Sequence, residues 1–177
     1  MRLEKEIVGE RVALRSYESA DLDFCTGMWL DPENGRYLSD PTAEYVDEAY
    51  RKALNAMQES EDGYYLIAEK KDTGEAIGTC CAFPDSEGKT YDIGYCVHMS
   101  CWKQGYGTEI VRLLTGWIRK QGAERVTAEA AVENAGSCRL LESCGFTVHK
   151  ESEFKKYGMD RKFKSYVYQK DWKGRKP

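Results

Sequence analysis

The sequence contains no long hydrophobic run. Within its 177 residues, no apolar stretch approaches the ~20 residues that a membrane-spanning helix needs. Residues 1–10 also lack the apolar segment of a secretory signal peptide. We therefore expect a protein that has no membrane partner and stays in the cytoplasm.

Cysteine pairs with metal-ligand spacing are also missing. Seven cysteines are present, but no two are separated as Cys-x-x-Cys, and His98 and His149 are the only histidines. Structural zinc sites use Cys and His ligands at close, regular spacings, so we expect no metal site. An odd number of cysteines, in a chain long enough to bury its own core, is typical of reduced thiols.

A surplus of basic charge is absent as well. The chain has 26 Lys and Arg against 30 Asp and Glu, a net charge of -4. Proteins that bind phosphate backbones usually carry a basic surplus, so we expect no nucleic-acid partner. Residues 173–177 form a short basic tail, for which a solvated terminus is the expected state.

Proline is scarce, and nothing in the composition divides the chain. Only four prolines occur, and there is no internal repeat or Ser/Pro-rich linker. This pattern predicts a single domain over residues 1–177, with its core at about 8–172.

Hydrophobic patterning predicts an α/β fold. Alternating apolar residues predict strands over 11–16, 64–71, 76–83, 90–98 and 125–132, then two closing strands, the last over about 161–170. Apolar stripes predict helices over 21–29, 45–57, 107–121 and 135–144. The order indicates a mixed central sheet of about six to seven strands with helices on both faces.

The segment from Tyr95 to Glu109 carries the clearest chemical signal. It runs from a strand through a short loop into a helix, and Gly105 and Gly107 stand in the first helical turn. That turn leaves backbone N–H groups unpaired at the positive end of the helix dipole, and glycine lets a phosphate approach them. Alternatively, the two glycines only let the helix start pack closely on the sheet. The residues alone leave both explanations open.

Several motifs resemble one family. The segment Trp102-Lys-Gln-Gly-Tyr-Gly-Thr-Glu109 is similar to motif A of the GNAT superfamily of N-acetyltransferases. The segment Tyr91-Asp-Ile-Gly-Tyr-Cys-Val97 resembles the splayed strand that precedes this motif. The segment Asn134-Ala-Gly-Ser137, followed by Leu140-Leu-Glu-Ser-Cys-Gly-Phe146, resembles the next conserved stretch of the family.

The opening of the chain adds to the resemblance. The segment Gly9-Glu-Arg-Val-Ala-Leu-Arg15, followed later by Asp21, is similar to the opening of the family branch that acetylates the N-termini of ribosomal proteins. The similarity runs from about Val8 to Trp172. It implies a GNAT-like fold and an acetyltransferase that moves an acetyl group from acetyl-CoA to a primary amine.

The resemblance also implies a binding mode for acetyl-CoA. The strand backbone near Cys96 and Val97 would pair with the pantetheine amides like an added strand, and the following loop would hold the pyrophosphate. Asn134 would face the pantetheine, although capping of its helix is an equal alternative. The implied binding residues are Cys96, Val97, Gln104, Gly105, Tyr106, Gly107, Thr108, Asn134 and Ser137.

The catalytic residues are less clearly marked. A Tyr that many family members use as general acid would align with Leu141, so Ser137 is the candidate proton donor to the CoA thiolate. Asp92, Glu129 and Glu133 are candidate bases for the amine, although each is more often a solvated strand residue. Cys138 admits a covalent alternative, but a buried structural cysteine is favoured.

The acceptor stays open. It is a protein N-terminus or a small amine. This amine would attack the thioester of acetyl-CoA directly, within a ternary complex. Its identity is expected to lie in residues 30–40 and 151–164, where Asp31, Glu33 and Asp40 would attract a cation. The alternative is a catalytically silent domain that binds CoA or a protein partner. A homodimer is also left open.

Overall fold

The computed structural model describes residues 1–172, and the predicted basic tail at 173–177 lies outside the described residues. The described part contains one sheet of eight strands in the order β1-β2-β3-β4-β5-β6-β8-β7. The strands are β1 Ile7–Val8, β2 Val12–Ser16, β3 Tyr64–Lys70, β4 Ala76–Pro84, β5 Thr90–Val97, β6 Arg125–Ala131, β7 Thr147–Lys155 and β8 Lys162–Asp171. The predicted α/β fold is confirmed, but the sheet has one strand more than six to seven. The additional strand is β1, which is too short to show a periodic pattern.

The four α-helices are α1 Leu22–Trp29, α2 Glu48–Ala56, α3 Tyr106–Lys120 and α4 Ala135–Ser143. Helix α2 begins later than predicted. The Asp47 side chain accepts a hydrogen bond from Tyr50 N and so caps the helix start, while Ala43–Tyr45 forms a separate turn of 3₁₀ helix. No helix within residues 1–172 is long and apolar enough to cross a membrane.

Helices cover both faces of the sheet. Neighbouring residues of a strand point to opposite faces, so one strand contributes side chains to a cluster on each side. On one face, Leu66 and Ala68 join the main core, to which α3 contributes Ile110 and Leu114. On the other face, Ile67 packs in a smaller cluster with residues before and within α1.

A gap in the sheet positions the site. Strands β5 and β6 are parallel, and their register runs from Thr90↔Arg125 to Ile93↔Ala128 and ends there. Strand β5 continues to Val97, paired only with β4, while β6 continues paired with β8. Between Ile93 and Val97, one edge of β5 is therefore left without a neighbouring strand.

Candidate active site

The open edge of β5 presents the backbone of alternate residues. His98 N donates to Ile77 O, and Asp85 N donates to Thr90 O, so the even-numbered residues of β5 bond to β4. By alternation, Tyr95 and Val97 turn their backbone groups toward the gap. Cys96, which the family resemblance implied, bonds to β4 instead, because it lies on the other side of the alternation.

The carbonyl at the end of this edge is already satisfied. Val97 O accepts hydrogen bonds from Trp102 Nε1 at 2.7 Å and from Asn34 Nδ2 at 3.2 Å. The Asn34 carboxamide oxygen accepts from Met99 N at 2.6 Å and so fixes the chain that follows. The groups left to face the gap are the N–H and C=O of Tyr95 and the N–H of Val97.

The loop into α3 forms a concave run of backbone donors. Within residues 1–172, none of the N–H groups of residues 103–108 donates to a protein acceptor; the first helical bond runs from Glu109 N to Gly105 O. Lys103 and Gly105 both have positive φ, 59° and 84°. Such alternation turns successive N–H groups toward one point and creates an anion-binding concavity. We call the N–H groups of residues 103–108 the anion cradle.

The two glycines of this loop are required for different reasons. Gly105 has a left-handed backbone that an L side chain rarely adopts. Gly107 has ordinary helical geometry, but a Cβ there would lie 2.7 Å from Leu140 Cδ1 and 3.5 Å from Val97 Cγ2. Gly107 therefore serves the close packing of α3 against α4 and β5, while its N–H still belongs to the cradle.

Two charged residues, Glu109 and Arg11, hold the loop of the anion cradle against β2. One Glu109 oxygen, Oε1, accepts from the backbone N–H groups of Arg11, at 2.7 Å, and Val12, at 3.0 Å. The Arg11 side chain bonds to Glu109 Oε2 at 3.0 Å and donates to the carbonyl of Gln104 at 3.1 Å. These bonds join β2 to the start of α3 and fix the direction of the cradle.

Helix α4 brings Ser137 against Tyr95. Asn134 caps the helix, since its side-chain oxygen accepts from Ser137 N at 3.1 Å. The hydroxyls of Ser137 and Tyr95 lie 2.7 Å apart. Burial raises the pKa of the Tyr95 phenol, which therefore keeps its proton at neutral pH. Leu141 is completely buried in the main core, so the position of the family Tyr has only a packing role here.

These elements surround one cleft of about 650 Å³. The cleft contains most of the residues implied by the sequence resemblance. Its lining includes Cys96, Val97, Gly105, Tyr106, Gly107, Thr108, Asn134 and Ser137. Gln104 does not line it; its side chain donates to Ser100 O at 2.9 Å, while its N–H stays in the anion cradle.

A row of polar side chains crosses the opposite face of the sheet beside the gap. Thr127 Oγ1 donates to Asp92 Oδ1 at 2.6 Å, and the buried Ser165 hydroxyl donates to Glu129. Desolvation raises the pKa of Asp92 and the charge of Glu129 raises it further, against the lowering effect of the Thr127 hydrogen bond. Glu133 lies outside this row, exposed in the turn between β6 and α4.

A second cavity, of about 380 Å³, lies on the same face as Asp92, between the sheet and helices α1 and α2. Tyr95 lines both this cavity and the cleft. The gap in the sheet thus has a cavity on each side.

A family model describes this combination of fold and site. The model of the GNAT acetyltransferase domain matches residues 11–147. The chain belongs to the GNAT acetyltransferase family. The resemblance seen in the sequence motifs is thereby confirmed.

A curated protein is similar to about half of this GNAT-family chain. The uncharacterized N-acetyltransferase YjdG of Bacillus subtilis is 33% identical over 93 residues; the match covers 50% of this chain and 55% of that protein. The chain thus spans about half the length of this curated relative.

Solved structures share the fold. Spermidine N-acetyltransferase of Vibrio cholerae, solved with CoA and spermine, has a TM-score of 0.76 at 14% identity, covering 92% of this chain and 96% of its own. Ribosomal-protein-S5-alanine acetyltransferase of Vibrio fischeri has a TM-score of 0.68 at 15% identity. The match covers 98% of this chain and 100% of that one.

The covalent alternative has no geometric support in the described part of this GNAT domain. Cys138 Sγ contacts Ala131 O at 3.5 Å, whereas His98 Nδ1 is paired with Ser100 Oγ at 2.8 Å. His149 is exposed on β7. In residues 1–172 there is no group of three or more His, Cys, Asp or Glu side chains arranged to hold a metal ion.

Sequence reasoning missed two contacts of the GNAT site. Tyr95 was visible as a motif residue, and strand alternation places it on the α4 side, but its pairing with Ser137 spans 42 residues. Asn34 lies in a loop without a motif and reaches Val97 across 63 residues. No local pattern signals either contact.

Proposed function

We propose that this chain transfers the acetyl group of acetyl-CoA to a primary amine in a ternary complex. One observation carries the proposal: the anion cradle and the open edge of β5 line the same cleft. A donor that has both a pyrophosphate and a chain of amides matches these two features together. Membership of the GNAT acetyltransferase family supports the same reaction.

The residues of the cleft fit the parts of acetyl-CoA. The anion cradle offers several N–H donors at the positive end of a helix of 15 residues, which suits a pyrophosphate. The N–H and C=O of Tyr95 and the N–H of Val97 suit the pantetheine amides, which would extend the sheet by β-augmentation. The bound thioester supplies the acetyl group.

Asp92 and Glu129 are the base candidates that this geometry favours. Both lie in the polar row on the face that carries the second cavity, and Asp92 stands one residue before the gap begins. An amine loses its proton as it attacks the carbonyl, and a carboxylate with a raised pKa accepts that proton more readily. Glu133, exposed outside the row, is the weaker candidate.

Ser137 and Tyr95 are placed to receive the charge that leaves with sulfur. As the carbon–sulfur bond breaks, negative charge develops on the CoA thiolate, and a hydroxyl can donate a hydrogen bond to it. Tyr95 keeps its proton and can donate to Ser137, so the Ser137 hydroxyl is free to point into the cleft. This pair would take over the role of the Tyr that Leu141 replaces.

Calorimetry and mass detection test the proposal together. Titration with acetyl-CoA should give saturable binding, and acetyl-pantetheine, which lacks the pyrophosphate, should bind far more weakly. A screen of amines and peptides should then yield an acetylated product, detected by its mass. If acetyl-CoA binds but no amine is acetylated, the proposal fails in favour of a silent CoA-binding domain. Absence of binding would contradict both.

A further inference from the structure

The second cavity is lined mainly by aromatic and aliphatic side chains. Its volume of about 380 Å³ is at the lower end of the ~300–1,000 Å³ found for small-molecule sites. Four aromatic side chains contribute to its wall, joined by apolar residues of α2 and β3, while Tyr95 borders the cavity from the strand and points its side chain to the α4 face. The four aromatic residues of the wall are Tyr17, Trp29, Tyr50 and Tyr65.

Among the residues lining this cavity, within the described chain, Asp40 is the one charged side chain. Its Oδ1 accepts the Tyr50 hydroxyl at 2.6 Å, which leaves Oδ2 for a ligand. Trp29 Nε1 is already satisfied by Thr79 Oγ1 at 3.0 Å. The wall thus offers one carboxylate and several aromatic faces, and it offers no Lys, Arg or His.

Contacts from the other end of the chain fix the loop that carries Asp40. The Lys156 ammonium is almost fully buried and donates to the carbonyls of Gly35 and Leu38, both at 2.8 Å. Tyr157 N donates to Ser39 O at 2.7 Å. Lys156 does not line the cavity, and its bonds hold Asp40 in place.

The cavity opens toward the gap in the sheet. Gly94 and Tyr95, which belong to the unpaired stretch of β5, are among its lining residues. A Cβ at Gly94 would lie 2.9 Å from Cys81 Sγ, so glycine here allows the close packing of β5 against β4. Tyr95, the next residue, also lines the cleft. A ligand in the cavity would therefore lie on the other side of the same β5 residue that borders the cleft.

We propose that this cavity binds the acceptor, and that the acceptor is a small primary amine on an aromatic or apolar body without an acidic group. The proposal rests on the proposed function. The reacting amine arrives as an ammonium ion, which Asp40 attracts and aromatic faces stabilise by cation–π interaction. A second ammonium group would find no further carboxylate in the wall. A carboxylate on the acceptor would find no cation.

Four probes distinguish the acceptor classes. They are 2-phenylethylamine, phenylalanine, spermidine and a hexapeptide with N-terminal alanine. Phenylalanine differs from 2-phenylethylamine only by its carboxylate, so this pair isolates the effect of the acidic group. With acetyl-CoA at saturation, we expect kcat/KM for 2-phenylethylamine to exceed each of the others by about tenfold or more, a ratio that one unfavourable charge contact can produce.

Two variants test the site itself. Ala53 is an exposed residue of α2 that lines the cavity. The variant Ala53→Trp is designed to fill the cavity from the solvent side. Asn55→Trp, exposed on the same helix and outside the lining, is the matched control. Ala53→Trp and Asp40→Asn should each raise KM for 2-phenylethylamine about tenfold or more, and Asn55→Trp should leave it unchanged. All three should bind acetyl-CoA normally by calorimetry.

Binding of 2-phenylethylamine in the presence of CoA gives a readout that does not depend on turnover. Saturable binding that Ala53→Trp abolishes supports the proposal. Preferred acetylation of the peptide or of spermidine, or equal KM values in wild type and Ala53→Trp, overturns it while the proposed function stands. Failure of wild type to bind acetyl-CoA removes the proposed function, and the inference falls with it.

Discussion

At the scale of single residues, Ser137 has two roles that can be separated. Its backbone N–H is held by the Asn134 cap, while its hydroxyl touches Tyr95. Removing the hydroxyl therefore leaves the helix cap intact. Ser137→Ala therefore tests the proposed hydrogen bond to the leaving thiolate while the cap of α4 stays in place.

We predict that Ser137→Ala lowers kcat by about tenfold to a hundredfold, because a hydrogen bond to developing charge is lost. Affinity for acetyl-CoA, measured by calorimetry, should change little. Tyr95→Phe, which removes only the partner hydroxyl, should lower kcat by a smaller factor. If Ser137→Ala keeps full kcat, the leaving CoA thiolate takes its proton from water.

Glu129 offers a test of the base by pH. The charge of Glu129 contributes to the raised pKa of Asp92. If Asp92 must be deprotonated to act, kcat/KM falls as the pH drops through its raised pKa. Glu129→Gln removes the neighbouring charge and lowers that pKa, so the acidic limb of the pH–rate profile should shift to lower pH. An unshifted limb would exclude Asp92 as the group that controls it.

At the scale of elements, the start of α3 combines binding with packing. The anion cradle depends on the left-handed backbone of Gly105, while the contact between α3 and α4 depends on the small size of Gly107. Glu109 and Arg11 hold the same turn against β2. Substitutions only two residues apart should therefore have different consequences.

Gly105→Ala should weaken acetyl-CoA binding by about tenfold or more, because a Cβ disfavours the left-handed backbone by ~1–2 kcal/mol and the cradle relaxes. Binding of acetyl-pantetheine, which lacks the pyrophosphate, should not change. Gly107→Ala should instead change acetyl-CoA binding little and shift the free energy of unfolding by less than ~1 kcal/mol, because its Cβ would crowd only the end of the flexible Leu140 side chain and alanine favours the helix. Calorimetry and urea denaturation distinguish the two. Equal losses for both acetyl donors in Gly105→Ala would contradict a phosphate cradle.

At the scale of the whole molecule, the gap between β5 and β6 organises the site. Ending one strand pairing at Ile93 exposes backbone groups to the cleft, and the second cavity reaches the same stretch of β5 from the other face. Helices α3 and α4 close the first side, and α1, α2 and the loop held by Lys156 close the other. The proposed donor and acceptor sites adjoin each other because the pairing of β5 with β6 ends between them.

The sequence by itself determined the order of elements and the family, because both depend on patterns of neighbouring residues. It marked the glycine loop before α3 but left open whether the glycines serve phosphate binding or close packing. Strand alternation, helical stripes and the glycines of one loop are local patterns. It also indicated Asp92, Glu129 and Ser137 as chemically suitable groups, without saying which of them meet. It misjudged the start of α2, where the Asp47 cap outweighed a longer apolar stripe.

Only the tertiary structure decided how distant residues combine. It paired Tyr95 with Ser137, used Asn34 to satisfy Val97 O, and placed Asp40 in an aromatic cavity fixed by Lys156. It also showed why a glycine stands at position 107, where Leu140 approaches closely. Each of these contacts joins segments that lie far apart in the chain. They depend on how packed elements meet, and no local periodicity encodes that.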